Sequence, residues 1–104
     1  MSADTAGETG PRSVLVMPAR VGLADVPGLC ARLSALYGGG ARSVVCDLGA
    51  VERADLAVVE ALARLRLTAR RAGREVRVVN AGSGIRELLA LTGLGSLAEP
   101  PGAS

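Results

Sequence analysis

Three groups of residues in this sequence have types and spacings that could do chemistry. The first is Asp47 with Asp55, two carboxylates that flank the segment 48–54. Open α/β sheets place ligands beyond the carboxyl ends of their strands, and a receiver-type phosphoacceptor would use Asp47 beside Mg²⁺. That reaction needs more carboxylates at the end of the first strand and a Lys to pair the phosphate. The first strand runs into Met17-Pro18, and the chain has no Lys. The structural account is stronger: Asp55 is a helix N-cap and Asp47 a loop-anchoring hydrogen-bond acceptor, the cap alone contributing ~0.5–2 kcal/mol. The second group is Gly82-Ser83-Gly84, whose backbone N–H groups could cradle a phosphate at a helix start. Neither the dinucleotide fingerprint nor a P-loop Lys accompanies it, so a flexible turn with Ser83 as cap is expected. The third is the cluster Arg64, Arg66, Arg70, Arg71, Arg74 and Arg77. It could meet phosphates, but no aromatic stacking residues accompany it and Glu60 and Glu75 dilute it; a solvated helix face is the default. With no His, and no base beside Cys30 or Cys46, nucleophilic triads are excluded. The chain reads as a non-enzyme with no cofactor and no metal site.

The elements that must position these residues follow from apolar periodicity. Residues 13–17 form a short β-prone run around Val14, Leu15 and Val16, closed by Pro18. A helix starting near Asp25 and Pro27 carries Val26, Leu29, Cys30, Leu33, Leu36 and Tyr37 on one face and stops at Gly38-Gly39-Gly40. Residues 43–48 are a second strand. The longest helix opens at Asp55, buries Val58, Ala61, Leu62, Leu65 and Ala69, and stops at Gly73, with Glu60 and Arg64 paired one turn apart on its outer side. Residues 75–80 make a third strand, and a last helix presents Ile85, Leu88, Leu89 and Thr92 before Gly93. Strand and helix alternate three times, so an α/β fold is expected: a mainly parallel sheet of three or four strands with three helices. Its core region should hold Val44, Cys46, Leu48, Val76 and Val78.

The totals bound what such a domain can do. A chain of 104 residues holds one domain, expected over 13–97 between flexible tails at 1–12 and 98–104. All twelve basic residues are Arg and Tyr37 is the sole aromatic, so Leu, Val and Ala must build the core. A net charge of +2 gives no case for specific nucleic-acid binding. No apolar run approaches the ~20 residues of a membrane span. The N-terminus lacks the order of an export signal, and the two cysteines read as buried thiols in a reducing compartment. A cytoplasmic protein without membrane insertion is expected.

The run Val44-Val45-Cys46-Asp47-Leu48-Gly49-Ala50-Val51 leads through Ala54-Asp55 into a helix ending Ala69-Arg70-Arg71-Ala72-Gly73. Strand 76–80 then leads to Ile85-Arg86-Glu87-Leu88-Leu89-Ala90-Leu91-Thr92-Gly93-Leu94. This series, over about residues 13–97, resembles the STAS family, which includes the bacterial anti-sigma factor antagonists. The opening strand is shorter than that family's usual N-terminal strand pair. The resemblance implies a regulator that binds an anti-sigma factor kinase and is switched off when a Ser in an Asp-Ser-Ser-Gly run is phosphorylated. The matching run here is Asp55-Leu56-Ala57-Val58, and no Ser or Thr lies between Asp47 and Glu60. The charge of a phosphate at an apolar contact is how such a switch works, and no hydroxyl here can carry it. The implied protein-binding residues are Arg53, Asp55, Leu56, Ala57 and Glu60, with part of the patch exposed because Leu56 and Ala57 sit off the buried stripe. Two other roles stay open: a cytoplasmic subunit of a lipid-transport ATPase, to whose compact STAS subunits the chain is also similar, and a small-ligand sensor.

Overall fold

The computed structural model describes residues 12–98. Three strands, β1 (Arg12–Val16), β2 (Ser43–Asp47) and β3 (Glu75–Val79), alternate with three helices, α1 (Val26–Gly38), α2 (Leu56–Arg71) and α3 (Ser83–Leu91). The strands lie in chain order and both neighbouring pairs are parallel, with Leu15 opposite Cys46 and Cys46 opposite Val78. Parallel neighbours require crossovers. Because the spatial order is the chain order, successive crossovers of one hand lay α1 and α2 on the same face, and the two helices pack on each other.

Alternation along each strand decides what that face buries. Leu15, Val44, Cys46 and Val78 point into it and are buried, while Val76 is half-buried against the same core. Leu48, one residue beyond β2, is buried as expected. On the opposite face Val14 and Val16 are exposed, and Val45 and Val79 are half-buried. The helices close the core with Val26, Leu29, Leu33 and Tyr37 from α1, Val58, Ala61, Leu62, Leu65 and Ala69 from α2, and Ile85 and Leu89 from α3. Tyr37 is the one core residue with a polar end, and its hydroxyl donates to the carbonyl of Glu75 at 2.6 Å. Burial pushes that hydroxyl's pKa up to about 12.

Several local expectations are corrected. Asp25 is the N-cap residue of α1, as expected of its helix start, but its carboxylate makes no bond to that helix and instead accepts from the Gly22 N–H at 2.8 Å, closing a 3-10 turn over Leu23–Asp25. Ser83 does not cap α3. Gly82 is the extended N-cap residue, no side chain caps the helix, and Ser83 is already its first residue. Cys30 is half-buried, whereas Cys46 is buried as expected; both are free thiols. The expected tails, 1–12 and 98–104, lie outside the described residues except at their inner ends. There Arg12 opens β1, and Ala98 bridges to Val78 in parallel.

Candidate functional site

The site is built around the start of α2. Asp55 has extended backbone, and its Oδ1 accepts from the N–H groups of Ala57 at 3.1 Å and Val58 at 3.3 Å. Two of the amides that a helix leaves without partners are thereby satisfied, which fixes where Leu56 and Ala57 sit. Upstream, Asp47 anchors the loop as expected. Its Oδ1 accepts from the Gly49 N–H at 2.8 Å and from Asn80 Nδ2 at 3.0 Å. The Asn80 bond first, and the Gly49 bond second, hold the Asp47 carboxyl below its ordinary pKa. Asn80 reaches it from a left-handed backbone, φ 59°, a region Asn tolerates better than most residues. The Glu52 N–H donates to the Ala19 carbonyl at 3.0 Å, tying the loop to the segment that follows β1.

The five expected binding residues line two recesses. Leu56, Ala57 and Glu60 line a groove of about 460 Å³ together with Leu23, Val26 and Pro27, and Arg64 stands at its rim. Leu56 is 70% exposed and Leu23 is 64% exposed. The Glu60–Arg64 ion pair, 3.0 Å and one helical turn apart, edges this apolar strip; so exposed a pair adds little stability. Arg53 and Asp55 instead line a separate recess of about 310 Å³ with Arg20 and Glu52. Sequence reasoning missed Leu23. Only the packing of its 3-10 turn against α2 places it across from Leu56, and no local signal encodes that contact.

The groove presents a surface for contact. An exposed pair of leucines above a partly filled groove, with a charged edge, has the composition of a protein interface: an apolar centre and a polar rim. No helix among the described residues is long and apolar enough to cross a membrane.

Comparison with known proteins agrees with the fold. Residues 5–99 match the family model described as Mlab, STAS domain. The chain belongs to the STAS domain family. Among solved structures, this STAS domain is similar to the Bacillus cell fate determinant SpoIIAA in its phosphorylated form. The TM-score is 0.63 at 15% sequence identity, over 84% of this chain and 80% of that one. At that identity the likeness is one of fold. No curated protein matches the sequence.

Proposed function

We propose that this STAS domain is a non-catalytic, cytoplasmic regulator that binds another protein through the groove between Leu23 and Leu56. It acts as an anti-sigma factor antagonist without a phosphorylation switch. The observation that carries the reading is the pair of exposed leucines on either side of an apolar groove, at the helix start where the family resemblance locates its partner. Monomeric proteins rarely leave contiguous apolar patches without a use. Leu56 and Ala57 stand where the family's run has hydroxyls, so the contact is drier than in a switchable relative. No residue from 48 to 59 carries a hydroxyl that could accept a phosphate. An anti-sigma factor kinase would then be bound constitutively.

A second reading shares the surface and differs in the partner. The matching model is the Mlab form of the STAS domain, and the resemblance of the compact form is to subunits of lipid-transport ATPases. Affinity capture from the native cell, with wild-type protein and a Leu56→Asp variant as baits, tests both. A histidine-kinase-like ATPase retained by the wild type and lost by the variant supports the antagonist reading. A transport ATPase with the same behaviour supports the second. Equal capture by both baits overturns the assignment of the surface.

A further inference from the structure

The arginine cluster that the groove at the head of α2 does not use is organised by the fold into a second surface. Arg66, Arg70 and Arg74 recur at four-residue steps, so they follow one line down the last turns of α2 and into the turn beyond it. Together with Arg77 from β3 they line a groove of about 370 Å³, with Val76 and Leu97 among its lining residues. Arg74 is held in place by donating from Nη1 to the Ala41 carbonyl at 3.3 Å. Arg66 and Arg70 form no salt bridge to any described residue, unlike Arg64, which is paired with Glu60. Glu75 is the one carboxylate among the lining residues. Four arginines less one glutamate give the groove a formal charge of +3, out of +5 for the twelve arginines and seven carboxylates of the described residues 12–98. More than half of the net formal charge of the described residues therefore lines this one groove.

We propose that this groove is a second docking site, for an acidic, carboxylate-rich segment of a protein partner. Guanidinium groups pair carboxylates in bidentate fashion, and the half-buried Val76 in the lining suits the stem of a peptide side chain. A nucleic acid is the poorer match, because the groove is short and offers no aromatic face for a base; the Tyr37 hydroxyl and ring are committed to the core. An anionic membrane is also the poorer match, because the exposed large apolar side chain beside these cations is a single leucine, Leu67, which is a weak anchor on its own. The two grooves share no lining residue: Leu56, Ala57, Glu60 and Arg64 of α2 line the first, and Arg66, Ala69 and Arg70 of α2 line this one. The two can therefore be occupied independently.

The test is fluorescence anisotropy with a labelled octaglutamate peptide at low salt, with octalysine as control. Backbone amide shifts measured on the unmodified protein locate the contact. Saturable octaglutamate binding is expected, with shifts at Arg66, Arg70, Val76 and Leu97. It should weaken steeply between 50 and 500 mM salt, as screening requires. Arg66→Glu with Arg70→Glu should weaken it at least tenfold, and the milder Arg66→Gln with Arg70→Gln should lower it part of the way. Leu56→Asp, which disables the other surface, should leave it unchanged. The proposal is overturned if octaglutamate does not bind, or if its shifts fall elsewhere. It is equally overturned if a DNA duplex or phosphatidylglycerol vesicles bind the same residues more tightly than the peptide.

Discussion

Asn80 donates from Nδ2 to Asp47 Oδ1 at 3.0 Å, and this bond joins the carboxyl ends of β2 and β3 just below the loop that leads to α2. The same carboxylate oxygen takes the Gly49 amide, so one side chain fixes the direction in which the chain leaves the sheet. A charged acceptor that serves two donors has a sign in pH. The folded-state pKa of Asp47 lies below its ordinary value near ~3.9, so its contribution is complete at neutral pH. It is lost as the pH falls below about 4 and through the folded-state pKa. Asp47→Asn should therefore be less stable than wild type at pH 7, with the difference shrinking toward zero in acid. Urea unfolding midpoints at pH 7, 4 and 2.5 check this. A constant offset across that range would show that the charge contributes nothing.

The two thiols should behave differently. Burial, and secondarily the neighbouring Asp47 carboxylate, push the Cys46 thiol up to about 12. Both the reactive thiolate and access to it are therefore missing at pH 8. Native protein should yield at most one fast-reacting thiol, from half-buried Cys30, and two in denaturant. Two fast thiols in the native state would contradict the packing of β2 against α1 and α2.

Tyr37→Phe should cost about 0.5–1.5 kcal/mol, the usual worth of one hydrogen bond. It removes only the donation to the Glu75 carbonyl and leaves the ring's packing in place. Thermal or chemical unfolding of the two proteins measures it. A larger loss would mean that the ring has shifted as well.

Incubation with a captured kinase partner and ATP should add no phosphate between residues 48 and 59, which offer no hydroxyl. Peptide mapping by mass spectrometry reads this directly. A kinase that modifies the domain elsewhere, with loss of binding, would show that a switch exists at another position.

Much of the fold was legible because its signals are local. The β2 run has apolar residues on both faces, the spacing of Val58, Leu62, Leu65 and Ala69 is helical, and Asp55 caps α2 where its position suggests. Gly73 ends that helix with φ 68°, the left-handed backbone that glycine accepts without steric penalty. The cap at Ser83 was misplaced by one residue, because Gly82 takes the extended N-cap backbone and its carbonyl accepts the Arg86 amide. Asp25 sits where a cap belongs, yet the 3-10 turn before it offers the Gly22 amide at closer range. The candidate site was half legible. Leu56 stands out because it falls off the buried stripe, but Leu23 becomes its neighbour only through tertiary packing. The family resemblance groups Arg53 with Leu56, whereas the structure has the two residues lining different recesses.

The central claim is that the start of α2 is a protein interface, and Ala57→Asp tests it most directly. Residue 57 is half-buried in the first turn of α2, where the helix dipole favours negative charge, so the fold should lose little. In an interface the same carboxylate would be desolvated, at a cost of a few kcal/mol. The measurement is affinity for the captured partner alongside the melting temperature of the same variant. The expected result is at least a tenfold loss of affinity with a melting temperature within a few degrees of wild type. Full affinity in a folded Ala57→Asp protein would contradict the claim.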